Sequence, residues 1–115
     1  MGDSLIAVLG IGKGTWGHVK RLIDEKQFEE VVLISNEWGK ENFKTDKQAN
    51  WVMVNNRAGF DVIKEEIKKN LPKGNIKVSI ISGSGKEHLA LLAALKDADA
   101  KYEFIVIAGD GIRTF

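Results

Sequence analysis

The feature that most narrows the fold of this 115-residue chain is a junction that occurs twice: an apolar run stops at a glycine loop and restarts as an amphipathic segment. The sharper copy is Ile80-Ile81-Ser82-Gly83-Ser84-Gly85-Lys86-Glu87-His88. It reads as a strand, a tight loop and a helix start. Glycines let the backbone come close to a ligand, a helix start offers unpaired N–H groups, and Lys86 adds a full positive charge, so an anion, phosphate first, would be stabilised here. The loop is not a P-loop. That motif needs Gly-x-x-x-x-Gly-Lys-Ser/Thr, whereas Ile80 stands five residues before Gly85 and Glu87 follows Lys86. An ordinary turn with a surface lysine is the plainer alternative, and the second glycine loop argues against it.

The other copy opens the chain. Ser4-Leu5-Ile6-Ala7-Val8-Leu9 suits a strand buried on both faces of a parallel sheet and breaks at Gly10-Ile11-Gly12-Lys13-Gly14-Thr15-Trp16-Gly17. Val19, Leu22, Ile23 and Phe28 then form a helical apolar stripe, with His18, Lys20, Arg21, Asp24 and Glu25 outward. Val31-Val32-Leu33-Ile34 is a second strand closed by Ser35-Asn36-Glu37. Residues 38–50 read as a loop with one short helix, and Trp51-Val52-Met53-Val54 as a strand. A helix runs from Phe60 to Leu71, with Lys64, Glu65, Glu66, Lys68 and Lys69 on its solvated face, and ends at Pro72 and Gly74. Ile76, Val78, Ile80 and Ile81 form the strand that delivers the second loop. The Leu- and Ala-rich helix from Glu87 to Asp97 is apolar around most of its circumference. Residues 102–108 form the last strand, from which Gly109-Asp110-Gly111 turns the chain away.

Strands alternating with helices predict a small, open, mostly parallel Rossmann-like α/β sheet of about five strands with helices on both faces, residues 1–115 forming one domain. Ligands in such sheets bind at the carboxyl ends of the strands. If the first and fourth strands are neighbours, residues 10–17 and 82–86 line one pocket, Lys13 and Lys86 face one ligand, and Asp110 and Arg113 sit near the rim. A net charge of +1 leaves room for a local basic pocket but not for a surface that coats duplex nucleic acid. The absence of cysteine removes disulfides, thiolate nucleophiles and zinc–cysteine sites. With only His18 and His88 as imidazoles, no metal site is expected. No long apolar run or signal peptide is present, so the expected location is the cytoplasm, without a membrane partner.

Gly12-Lys13-Gly14-Thr15-Trp16-Gly17 matches the dinucleotide fingerprint Gly-x-Gly-x-x-Gly, and Glu37 lies about twenty residues on, where an acid would meet a ribose hydroxyl. Against that reading, Gly10 rather than Gly12 sits at the strand end, and bulky Trp16 precedes the third glycine.

A glycine loop after the first strand, a Ser/Thr-Gly-Gly/Ser-Gly/Thr-Lys loop after the fourth, and an Ala/Leu-rich helix behind it together resemble the CARF (CRISPR-associated Rossmann fold) domain. The residues that carry the resemblance are Gly10-Ile11-Gly12-Lys13-Gly14-Thr15-Trp16 and Ser82-Gly83-Ser84-Gly85-Lys86 with Leu89-Ala90-Leu91-Leu92-Ala93-Ala94. The resemblance implies a homodimer whose twofold axis sets two copies of each loop around a cyclic oligoadenylate, the second messenger of type III CRISPR defence. No nuclease or DNA-binding domain follows the Rossmann unit here, so the expectation is a stand-alone binder or ring nuclease, without a cofactor.

On that reading Gly10, Gly12, Lys13, Gly14, Thr15, Trp16, Ser82, Gly83, Gly85 and His88 bind the ligand, and Lys86 and Ser84 act in any cleavage. Ring opening needs no metal, because a ribose 2′-OH attacks the adjacent phosphorus while the protein stabilises developing charge. Trp16 either stacks on a base or holds the first helix to the sheet. His88 is either a proton shuttle or an ordinary first-turn residue. An NAD(P)- or nucleotide-binding protein and a non-enzymatic interaction module stay open as alternatives. The apolar surplus of residues 89–98, Trp38, Phe43, Trp51 and Phe115 points to a subunit interface.

Overall fold

The computed structural model describes residues 2–55 and 57–115. Strand β1 (Asp3–Val8) leads through a short 3-10 turn (Lys13–Thr15) into helix α1 (Trp16–Glu25) and strand β2 (Glu30–Ser35). Helix α2 (Glu37–Asn42), strand β3 (Asn50–Met53), helix α3 (Phe60–Lys69) and strand β4 (Asn75–Ser79) follow. Helix α4 (Gly85–Asp97), strand β5 (Tyr102–Ala108) and strand β6 (Gly111–Thr114) complete the chain. The sheet order is β3-β2-β1-β4-β5-β6, with every pairing parallel except β5–β6. This is the doubly wound, Rossmann-like order, and the chain reverses direction across the sheet between β1 and β4.

Alternate residues of β1 and β2 serve opposite layers, which is why residues 5–9 and 31–34 are apolar without a break. Ile6 and Val8 of β1 join Val32, Ile34 and Val78 under Ile63 and Ile67 of α3 and Leu91 and Leu95 of α4. Leu5, Ala7 and Leu9 join Val31 and Leu33 under Val19, Leu22 and Ile23 of α1, with Trp16 and Phe43. The Ala/Leu-rich α4 is apolar on several sides because it lies against the sheet and against α3 at once.

Several expectations shift. The sheet has six strands, because Gly109-Asp110 closes a two-residue hairpin and Gly111, at φ 128°, starts an antiparallel edge strand instead of leading the chain away. Residues 38–50 hold the short helix expected, capped at Asn36, whose Oδ1 accepts from the Gly39 N–H at 2.8 Å. Of the aromatics counted as surface surplus, one is interior and a second is half-buried. Phe43 is buried and packs edge-on against both Trp16 and half-buried Trp51. Trp38 and Phe115 do remain exposed, as does Leu89 on α4. Lys64 is not on a merely solvated face: its ammonium lies 2.9 Å from Asp97, which links α3 to α4. Hydrogen bonding to Lys64 holds the Asp97 carboxyl below its ordinary range. No helix among the described residues is long and apolar enough to cross a membrane.

His18 closes a gap in the sheet. The β4–β5 ladder ends at Val78↔Phe104, so further along β5 the inward N–H groups lack a strand partner. The N–H of Ile107 donates instead to His18 Nε2 on α1, 3.1 Å away, which requires a neutral imidazole. Burial, reinforced by Arg21, lowers the His18 pKa below its ordinary 6.5. The folded protein therefore binds this proton less readily than the unfolded chain. The contribution of His18 is complete above about pH 6.5 and is lost as pH falls from there through its lowered folded pKa. Thermal melts of wild type from about pH 7.5 to 5 should show an acid-side loss that is smaller in His18→Gln, which keeps an acceptor but no titrating ring. Superimposable pH profiles would contradict this.

Candidate functional site

The two glycine loops meet where the sheet order reverses. β1 pairs directly with β4, so the loops that leave their carboxyl ends emerge side by side. The Gly10 N–H donates to Ser82 Oγ at 2.8 Å, and Ser82 is almost fully buried. His88, one turn into α4, donates from Nε2 to the Ser82 carbonyl at 2.6 Å. On the other side the Trp16 indole N–H donates to the Gly10 carbonyl at 2.9 Å, and Ser35 Oγ donates to the Leu9 carbonyl. Each loop is thus held by a side chain from the helix that follows it and joined to the other through Ser82.

Two glycines permit this approach. A Cβ on Gly10 would lie 2.8 Å from the Gly83 backbone, and a Cβ on Gly83 would lie 2.4 Å from Val8. Gly83 also has φ +101°, a conformation that L side chains rarely adopt. Gly12, Gly14 and Gly17 differ: a Cβ at any of them meets nothing within 4 Å. The third glycine of a dinucleotide fingerprint serves close helix–strand packing, which Gly17 does not provide, and Glu37 does not line the cavity beside these loops. The fingerprint match is therefore one of letters and not of geometry.

That cavity has a volume of about 560 Å³. Leu9, Gly10, Ile11, Gly12 and Thr15 line it from the β1 side, Ile81 to Ser84 with Lys86 and Glu87 from the β4 side, and Asn36 from the end of β2. Of the residues expected at the site, Gly10, Gly12, Thr15, Ser82, Gly83, Ser84 and Lys86 are brought together here. Lys13, Gly14, Trp16, Gly85 and His88 are not among the lining residues. Trp16 is buried in the aromatic cluster under α1, and the Lys13 ammonium sits 5.9 Å and 5.7 Å from the Trp16 and Trp38 rings instead of facing Lys86. Asp110 and Arg113 pair with one another on the β5–β6 hairpin and do not line the cavity.

The electrostatics of the two loops are unequal. At α4, Ser84 and Glu87 form a capping box in which the Ser84 N–H and hydroxyl both donate to Glu87 Oε1, at 2.8 and 2.9 Å. The Ser84 hydroxyl is therefore engaged in a helix cap. The helical run that begins after Gly12 has no side-chain cap at Gly12 or Thr15 and no acid in its first turn. Lys86 donates to the Ala58 carbonyl at 2.9 Å while lining the cavity. Ile11 lay within the expected 10–17 stretch without being singled out, and Leu9, Asn36, Ile81 and Glu87 lay outside both expected stretches. The Ser84-x-x-Glu87 spacing was a readable signal for Glu87, whereas nothing in the sequence marked the exposed isoleucines as neighbours. Among the described residues no group of three His, Asp or Glu side chains is placed to hold a metal ion.

No protein-family model and no curated protein sequence matches the chain. Its fold is similar to that of a solved structure, Enterococcus italicus Csm6 bound to cyclic hexa-2′-fluoro-hexa-dAMP, with a TM-score of 0.60 and 17% sequence identity. The match covers 94% of this chain and 34% of Csm6, so the chain spans about a third of that protein's length. At this identity the likeness is one of fold.

Substitution of the glycines separates the two classes. Gly10→Ala and Gly83→Ala should each destabilise the protein by about 1–3 kcal/mol or more, because the contact they disturb is with backbone or with a packed valine. Gly17→Ala, at an open helical position, should stabilise by up to about 1 kcal/mol. Chemical denaturation that ranked Gly17→Ala as the most damaging of the three would overturn the assignment.

Proposed function

We propose that this chain binds a cyclic oligoadenylate in the cavity between the two glycine loops, as a CARF-like domain acting in type III CRISPR defence. The observation that carries the reading is the convergence of Gly10, Ile11, Gly12 and Thr15 with residues 81–84 and Glu87 on one cavity at the β1/β4 reversal, with Lys86 in its wall. The fold likeness to Csm6, a protein solved with a cyclic hexa-adenylate analogue, supports it. An oligoadenylate ring presents phosphates, which suit Lys86 and the uncapped helical start at Gly12. It also presents adenines, which suit Leu9, Ile11 and Ile81. Asn36 spends its Oδ1 on Gly39 and keeps its amide N–H groups for an acceptor on the ligand.

The same reading requires a homodimer. A cavity of about 560 Å³ is the size that encloses a drug-sized molecule, whereas a ring of several nucleotides is larger and has rotational symmetry that two copies of one pocket can share. Ile11 and Ile81, at 62% and 44% exposure, stand at the cavity where ligand or a second copy would cover them. If a bound ring is opened, attack of a ribose 2′-OH on the adjacent phosphorus expels the 5′-oxygen, which takes up a proton, and leaves a 2′,3′-cyclic phosphate. Lys86 meets the charge that grows on the phosphoryl oxygens in that step.

A calorimetric panel of cyclic tri-, tetra- and hexa-adenylate, NAD(P) and mononucleotides tests the reading. A cyclic oligoadenylate should bind best, and Lys86→Ala should weaken it by about 1.5–3 kcal/mol with the melting temperature nearly unchanged. Lys68→Ala, an exposed change on α3, is the control and should stay within about half a kcal/mol. Binding of NAD(P) in preference to every cyclic oligoadenylate would sink the proposal. Light scattering should report a dimer at micromolar concentration, at least with ligand bound; a monomer under both conditions would remove the twofold pocket.

A further inference from the structure

A second cavity, of about 420 Å³, lies at the other side of α2 and shares no lining residue with the first. Three segments bring lysines to it: Lys20 from α1, Lys40 from α2, and Lys44 and Lys47 from the loop that precedes β3. Its one carboxylate is Asp46, so four lysines and a single acid line it. None of the four lysines forms an ion pair among the described residues, whereas Lys26, Lys64, Lys69 and Lys77 all do. Like charges gathered without counterions oppose folding, and an anion from outside relieves that repulsion. The apolar part of the wall is aromatic. Phe43 is buried and fixes half-buried Trp51, on edge strand β3, by an edge-on contact with ring centroids 6.2 Å apart.

Cations on several sides of an aromatic wall are the two elements that hold a single nucleic-acid strand: lysines meet successive phosphates and a ring stacks on a base. We propose that this cavity binds the backbone of a single-stranded nucleic acid. The inference does not rest on the cyclic oligoadenylate reading. An acidic peptide would leave the aromatic wall without a matching group. A membrane surface would need a broad convex basic face, but α2 carries Glu37 and Glu41 beside Lys40, and the whole chain has a net charge of only +1. A duplex is too wide for a cavity of this size to follow both strands.

Fluorescence anisotropy with labelled 12-nucleotide RNA and DNA strands tests the proposal. Wild type should bind in low salt, and the slope of log affinity against log salt should be no steeper than about −3, the product of four lysines and about 0.7 per phosphate contact. A fourfold rise in salt then costs some tens-fold in affinity. The variant carrying Lys20→Ala, Lys40→Ala and Lys44→Ala should bind at least tenfold more weakly, with a slope shallower by about 2. Lys68→Ala, Lys73→Ala and Lys101→Ala together make the same charge change elsewhere and should leave binding near wild type; circular dichroism checks that both triple variants fold. The RNA and DNA arms show whether the sugar matters. The proposal is overturned if neither strand binds in low salt, if both triple variants weaken binding equally, or if inorganic polyphosphate binds as tightly as the strands. Displacement of the strand by cyclic hexa-adenylate would place it in the glycine-loop cavity and also overturn the proposal. Binding of phosphatidylserine vesicles, but of no strand, would assign the lysines to a membrane.

Discussion

The backbone contact between Gly10 and Gly83 is the constraint on which the site depends. Two parallel strands can deliver their loops to one place only if the loops do not push each other apart: a methyl group on Gly10 would strike the Gly83 backbone, and one on Gly83 would strike Val8 at the end of β1. Removing the side chains costs conformational entropy, of order 0.5–1 kcal/mol per glycine. The return is a pair of loops close enough for one serine to join them. Ser82 is buried, so an unmet hydroxyl or an unmet Gly10 N–H would be penalised by about 1–3 kcal/mol, and the two groups satisfy one another. Trp16 and His88 add a clamp from each helix, and both clamps are hydrogen bonds to loop carbonyls. The cavity is therefore preorganised: its floor is fixed by contacts that involve no ligand.

Much of this order was legible. The unbroken apolar runs of β1 and β2 marked parallel strands buried on both faces, and the short glycine junctions pointed to two loops meeting at the carboxyl ends of β1 and β4, where the cavity lies. What the letters could not rank was the glycines. Gly12, Gly14 and Gly17 complete a known spacing and yet occupy open positions, while Gly10 and Gly83, outside that spacing, are the two that geometry demands. Trp16 posed the same difficulty, since an indole beside a loop suits a base or a core, and its burial against Phe43, with its N–H spent on Gly10 O, decides for the core in this chain. Long-range partners were invisible for a simpler reason. The pairing of Lys64 with Asp97 and of His18 with Ile107 spans 33 and 89 residues, and no local pattern carries such information. The edge strand β6 escaped because four residues after a turn give no usable period.

The two helix starts at the cavity divide the work in a way that the loop sequences do not suggest. The loop ending in Lys86 looks like the better anion site, but Glu87 already accepts the Ser84 N–H. A phosphate brought within 4 Å of that carboxylate would meet a repulsion of about 1–4 kcal/mol, depending on how well water screens it. The uncapped run after Gly12 has no such competitor. In the proposed complex the phosphate therefore lies toward Gly12 and Thr15, with the long Lys86 side chain reaching across from the opposite loop. This division gives Glu87 a second effect, since its charge disfavours ligands whose phosphates crowd α4.

Magnitudes then bear on why one copy of the site would be weak. Covering two partly exposed isoleucines yields about 1–2 kcal/mol each, scaled from the value for full burial of such a side chain, and one charge-assisted contact from Lys86 adds about 1.5–3 kcal/mol. The gross sum, roughly 4–7 kcal/mol on those values, is comparable with the cost of immobilising a ligand, for which estimates start near 4 kcal/mol, so a single copy would hold a ring only loosely. Micromolar affinity requires about 8 kcal/mol net. A second copy across a twofold axis doubles every favourable contact while the ligand's loss of freedom is incurred once. It also covers the isoleucines from both sides. On these numbers the exposed Ile11 and Ile81 are what a half-site would show, and the symmetry of the ligand is what would make the second half necessary.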